Sequence, residues 1–138
     1  MSRYLNIFFV VAATTICFTV AGLTFAQNVK EPEPIIVNGN NNETTKAELD
    51  RLAQTAGDSK LIIMIARLGH AESSRKLNHR RLQVLSNYLE TVRAIPKQRI
   101  VKAESEPMQG IGRVEIYLGG KLFMIFTLKR NQNFAPEP

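Results

Sequence analysis

The feature that most constrains the fold is an uninterrupted apolar run at residues 61–65, Leu-Ile-Ile-Met-Ile. Its length and its isoleucines favour a β-strand over a helix. Helix-period patterns lie on both sides of the run, with Leu49 and Leu52 before it and Leu85 and Leu89 after it. A strand without polar alternation is covered on both faces or flanked by helices, so the run predicts layers of helix and sheet.

Local signals place the two helices. The spacing of Thr45 and Glu48 is that of a capping box, which predicts the start of the first helix, and Gly57 closes it. The second helix is predicted over residues 75–93. Ser73 or Ser74 is expected to cap its start. Its end lies ahead of Pro96, because a proline restricts the backbone that precedes it.

Four further strands complete the pattern. Short strands are predicted at residues 35–37 and 99–103, with a strand at 60–66 around the apolar run and a loop at 105–112. Two β-rich runs at 113–118 and 121–128 are joined by Gly119 and Gly120, a link suited to a tight hairpin. The order β-α-β-α-β-β-β predicts an α/β fold of the α+β sandwich type, with a mixed sheet and two helices on one face.

The hairpin carries apolar residues on both faces. The alternation predicts one face formed by Val114, Ile116, Phe123 and Ile125, and the other by Tyr117, Leu122, Met124 and Phe126. One face would meet the helices. The other needs a cover, which the sequence leaves open between the N-terminal segment, a protein partner and a second copy of the chain.

The N-terminus has the pattern of a signal peptide over residues 1–26. Arg3 precedes an apolar run, and Thr24 and Ala26 supply the small residues of a cleavage site. The alternative is a retained membrane anchor. Residues 27–34 are predicted to be a linker, 35–130 one domain and 131–138 a disordered tail. Export by the signal peptide predicts a location in the periplasm or cell envelope.

Cysteine content and charge narrow the function. Cys17, the single cysteine, lies in the predicted signal peptide, so the mature chain has no disulfide, thiolate metal site or cysteine nucleophile. The formal net charge is +6, and residues 67–102 hold nine Lys or Arg against Glu72 and Glu90. This excess indicates an anionic envelope polymer or lipid as partner, or simply a solvated helix surface. Nucleic acid is not expected, because no aromatic residues alternate with these charges.

Arg81 occupies an unusual position in the second helix. On a helical wheel it lies inside the apolar arc, between Tyr88 and Val92. A guanidinium stays charged at all relevant pH values, so it needs a partner there. Two interpretations remain open: recognition of a ligand carboxylate at the rim of the sheet, or a snorkelling or paired position within the protein.

Four blocks of sequence resemble one known family. Leu77, Arg81, Tyr88 and Leu89 match the pattern L-S-x-x-R-A-x-x-V-x-x-Y-L. Residues 95–100 (IPKQRI), 104–107 (ESEP) and 113–116 (RVEI) are similar to the blocks that follow it in that family. The stretch from about residue 61 to 118 therefore resembles the OmpA-like domain, the peptidoglycan-associating module of outer-membrane protein A, the Pal lipoprotein and MotB-type stator proteins.

The resemblance implies non-covalent binding of the diaminopimelate part of a peptidoglycan stem peptide. Arg81 would pair with a ligand carboxylate, and Asn78 would be an adjacent hydrogen-bonding group. The family's ligand-binding acid falls on Ala66 in this sequence, and Glu72 is the nearest substitute acid. Arg81, Asn78 and Glu72 are the predicted ligand-binding residues. The alternative is a protein-interaction module that keeps the fold and has lost the peptidoglycan site.

Catalysis and bound cofactors are not expected. His70 and His79 have no clear third ligand and are predicted to be solvated, so no metal site is indicated. The serines and carboxylates form no recognisable nucleophile or acid/base arrangement. The sequence predicts a non-enzymatic binding protein without a cofactor.

Overall fold

The computed structural model describes residues 32–135 of the chain. The predicted signal peptide, residues 27–31 of the predicted linker and residues 136–138 lie outside the described part. The elements are β1 (Ile35–Asn38), α1 (Asn42–Ala56), β2 (Ile62–Gly69), α2 (Arg75–Thr91), β3 (Ile100–Met108), β4 (Arg113–Leu118) and β5 (Lys121–Thr127), with a short 3₁₀ turn at Lys97–Arg99. This order confirms the predicted α/β class and its two helices.

The strands form one mixed sheet of five strands in the order β1-β5-β4-β2-β3. β1 runs parallel to β5, and β2 runs parallel to β3, whereas β4 is antiparallel to both of its neighbours. The apolar run of β2 therefore has a strand on each side. Ile62 and Met64 are fully buried, and Ile63 and Ile65, which alternate with them, are half-buried on the other face.

The core lies between one face of the sheet and the helices. Helix α2 packs on β2 and β3, and α1 packs on β1 and α2. The apolar stripes of the two helices meet the sheet as their 3.6-residue spacing requires. Fully buried members of this core include Leu49, Leu52, Leu85, Leu89, Met64, Ile116 and Phe126.

The predicted division of the hairpin faces is wrong by one residue in β5. The two-residue turn pairs Leu118 with Lys121, and both turn glycines have positive φ, as a tight hairpin requires. The register then shifts, so that Ile116 pairs with Met124 instead of Phe123. This bulge turns Met124 towards the helices, and the alternation predicted from an unbroken ladder fails beyond it.

Element ends also differ from the prediction. Helix α1 begins at Asn42, because the side chain of Asn41 accepts a hydrogen bond from Thr44 N at 2.9 Å. The capping box predicted at Thr45 is therefore wrong, and Thr45 is buried inside the first turn. Strand β3 continues to Met108 through the predicted loop, because Ser105 still pairs with β2.

Within residues 32–135, neither helix has the length and apolar character that crossing a membrane demands.

Candidate functional site

The loop from β2 to α2 brings Glu72 to Arg81. β2 ends at Gly69, and Glu72 N donates a hydrogen bond to Gly69 O at 2.9 Å, which turns the chain back over the end of the sheet. Arg81 lies in the second turn of α2. The side chains of both residues are buried, with 0% of Arg81 and 1% of Glu72 exposed.

The two side chains form a bidentate ion pair. Arg81 Nη1 donates to Glu72 Oε2 at 3.0 Å, and Arg81 Nη2 donates to Glu72 Oε1 at 2.7 Å. Parallel bonds of this kind are the strongest arrangement available to an arginine and a carboxylate. A buried pair needs further hydrogen bonds to offset the loss of water, and the backbone supplies them.

Four backbone contacts complete the pair. Glu72 Oε2 accepts from Gly69 N at 2.8 Å, and Glu72 Oε1 accepts from Asn131 N at 2.7 Å. The carbonyl of Gln132 accepts from Arg81 Nε at 3.0 Å and from Arg81 Nη2 at 2.8 Å. Two neighbouring residues of the C-terminal segment therefore complete the pair through their backbone, Asn131 with its N–H on the acid and Gln132 with its C=O on the base.

Residues 129–134, here called the C-terminal strap, are held over the pair by several contacts. Arg130 Nε donates to Ala71 O at 3.0 Å, and Lys129 N donates to Asn40 Oδ1 at 3.1 Å. Phe134 is 4% exposed and packs edge-on against Phe126, with ring centroids 5.5 Å apart. The prediction of a disordered tail over residues 131–138 is therefore wrong for residues 131–134, because the ring of Phe134 packs in the core.

Two glycines allow the backbone to approach the ion pair. A Cβ atom on Gly112 would overlap Glu72 Oε2 and would lie 2.5 Å from Arg81 Nη1. A Cβ atom on Gly69 would lie 2.6 Å from Gly112 N. The ends of β2 and β4 thus converge on the pair with no room for side chains at these two positions.

The environment favours the charged form of Glu72. Burial disfavours its charge, but hydrogen bonds from Arg81, Gly69 N and Asn131 N outweigh burial, so the pKa of Glu72 lies below its usual range. Since the folded-state pKa is depressed, the pair contributes its full stability above the pKa of an unfolded glutamate, about 4.3. That contribution is lost as the pH falls through the folded-state value.

Acid unfolding is expected to reveal this linkage. The native chain should lose stability as the pH falls below about 4.3, and Glu72→Gln, measured by urea unfolding across that range, should lose less. Glu43→Gln, at an exposed position of α1, is the control and should keep the native pH dependence. Equal pH dependence in native chain and Glu72→Gln would contradict the assignment.

Asn78 does not join the pair. It is 2% exposed, and its Nδ2 donates to Ala66 O at 3.4 Å, whereas its Oδ1 has no hydrogen-bond partner among residues 32–135. The structure thus brings together Arg81 and Glu72 of the three predicted ligand-binding residues. Ala66, the position on which the acid of the OmpA-like pattern falls, is fully buried within β2.

Many of the nine basic residues between positions 67 and 102 form ion pairs or hydrogen bonds within the chain. Five of the nine do so: Arg67 to Glu115, Arg81 to Glu72, Arg93 to Asp50, Arg99 to carbonyls at the end of α1, and Lys102 to Gln83 and Ser86. His70 and His79 are exposed. Across the described part of the chain, no three metal-binding side chains cluster.

The contribution of Asn131 and Gln132 was missed in the sequence because both act through backbone atoms. One signal was available. Phe134 is the only large apolar side chain among residues 131–138, and a buried position for it would have indicated that the strap folds back.

Comparisons with protein-family models, curated proteins and solved structures find no match to this chain.

Proposed function

We propose that this chain is an exported, non-enzymatic interaction module of the bacterial cell envelope. In this proposal it keeps an OmpA-like fold and uses Arg81 and Glu72 as an internal ion pair instead of a ligand clamp. The observation that supports this most directly is that the pair is buried and bonded within the chain. Arg81 is 0% exposed, and within residues 32–135 its guanidinium donates to Glu72 and to the carbonyl of Gln132.

The cost of opening the pair supports the same conclusion. A ligand carboxylate can reach Arg81 only if it displaces the strap or Glu72, and displacement of Glu72 would leave a buried charge without its partner. Phe134 would also have to leave its contact with Phe126. These costs weigh against a site that must bind peptidoglycan readily.

A second candidate is peptidoglycan association at the same pair, and the strap provides the observation in its favour. The N–H of Asn131 donates to the acid, and the C=O of Gln132 accepts from the base. A ligand with an ammonium group and a carboxylate, such as diaminopimelate, would make the same two contacts. Under this candidate the strap is exchanged for the ligand.

Co-sedimentation with purified diaminopimelate-type peptidoglycan tests the two candidates. The mature chain, residues 27–138, is compared with Glu72→Gln and with Glu115→Gln, each at low and high salt. Glu115 is a matched control because it is also a buried glutamate bonded to arginines, Arg67 and Arg113, but it lies on the other face of the sheet.

We expect the three proteins to sediment to the same extent at each salt concentration, with any binding lost as salt rises. Sedimentation that resists salt, is lost in Glu72→Gln and persists in Glu115→Gln would overturn the proposal and establish the second candidate.

A further inference from the structure

A groove runs between the first half of α2 and β3, away from the ion pair. Its cavity volume is about 770 Å³. Its floor and walls include Leu68, Asn78, Leu82, Lys102, Glu104 and Glu106. Lys102, Glu104 and Glu106 are charged residues of β3. Asn78 is the buried amide that does not bond to the Arg81–Glu72 pair.

Strand β3 forms an edge of the sheet. Among the strands of residues 32–135 it pairs only with β2, so one side of its backbone has no strand partner there. Most of its residues from Val101 to Pro107 are exposed. An open edge of this length presents a row of N–H and C=O groups to which an extended peptide can add.

The buried residue Asn78 lines the groove. The bond from its Nδ2 to Ala66 O fixes the orientation of the amide, because the reversed amide would place two oxygens together. Its Oδ1 is buried and has no partner in the described chain. A buried acceptor without a donor is costly, so the packing beside this part of the groove is incompletely satisfied.

The charged residues along the groove indicate which charge a ligand would carry. Glu104 and Glu106 are exposed and form no ion pair with residues 32–135. The ammonium group of Lys102 is directed to α2, where it donates to Gln83 Oε1 and Ser86 Oγ, both at 3.3 Å. The carboxylates therefore dominate the outer wall, and they complement a cationic ligand.

We propose that this groove binds an extended, basic polypeptide segment of a partner protein, which adds to β3 as a further strand. Lysine or arginine side chains of the segment face Glu104 and Glu106. The inference rests on the proposed role as an interaction module and names its surface and partner class.

Fluorescence anisotropy with synthetic peptides tests the proposal on the mature chain. The probe is a labelled hexapeptide in which lysine alternates with valine. Two comparison peptides carry glutamate in place of lysine, or N-methyl groups on alternate residues that block strand pairing. The test variant is Glu104→Lys with Glu106→Lys, and the matched control is Glu43→Lys with Asp58→Lys, at exposed positions in and just after α1.

The lysine peptide is expected to bind the native chain and the control variant alike. We expect at least about a ten-fold loss of affinity in the test variant and for both comparison peptides. Amide hydrogen exchange should slow along β3 when the lysine peptide is bound.

Equal binding of the lysine and glutamate peptides, an unchanged affinity in the test variant, or no binding of the lysine peptide up to about 1 mM would overturn the proposal. Self-association of the native chain that the test variant abolishes would identify a second copy as the occupant and also overturn it. None of these results bears on the ion pair, which the peptidoglycan experiment tests separately.

Discussion

Replacement of Arg81 by alanine is expected to lower the free energy of unfolding by about 3–5 kcal/mol. The variant leaves Glu72 buried without its counter-ion and leaves the carbonyl of Gln132 without its two donors. The desolvation cost of the carboxylate then stands uncompensated. Urea unfolding followed by circular dichroism measures the change.

Arg67→Ala is the matched control for this prediction. Arg67 also pairs with a buried glutamate, but its side chain is 29% exposed and Glu115 keeps a second partner in Arg113. Its loss should cost about 1 kcal/mol or less. Similar values for the two variants would show that the Arg81 pair is no more important to stability than a surface ion pair.

Removal of the ring of Phe134 is expected to have the second-largest effect. Phe134→Ala should destabilise the domain by about 3 kcal/mol, because it removes a buried ring and leaves a cavity beside Phe126. It should also loosen the strap, so that the amide of Asn131, which donates to Glu72, exchanges faster with solvent. Thermal unfolding and amide hydrogen exchange measure the two effects.

Ile111→Ala serves as the control, since that side chain is 55% exposed and should change stability by less than about 0.5 kcal/mol. If Phe134→Ala destabilised the domain as little as Ile111→Ala, the ring of Phe134 would not anchor the strap.

The architecture could be predicted from the sequence where one physical pattern dominates. The apolar run of β2 and the stripes of α1 and α2 have lengths and periods that few arrangements satisfy, so the order of elements and the α/β class were correct. The hairpin turn was also correct, because Gly119 and Gly120 adopt the positive φ that its type needs.

The register and ends of the strands could not be predicted in the same way. A bulge adds one residue to a strand without a composition signal of its own, and one residue was enough to exchange Phe123 for Met124 on the helix-facing side. The length of β3 depends on its pairing with β2, a contact that local propensity does not encode.

The candidate site was predictable only in part. The position of Arg81 in an apolar arc indicated that it needs a partner, and the family resemblance pointed to Glu72 as an acid near it. Neither the apolar arc nor the family resemblance could reveal that the strap completes the pair, because peptide N–H and C=O groups are present at nearly every position of any chain. That contact depends on the fold, which brings residue 131 to residue 72.

The internal role of Arg81 is tested most directly by an NMR measurement of its Nε–H group during titration with free diaminopimelate. We expect this group to exchange slowly with solvent, unlike that of the exposed Arg80, and its resonance to stay unchanged at saturating ligand concentration. Rapid exchange at Arg81, or a saturable shift of its resonance as diaminopimelate is added, would show that the pair is open to ligand and would contradict the internal role.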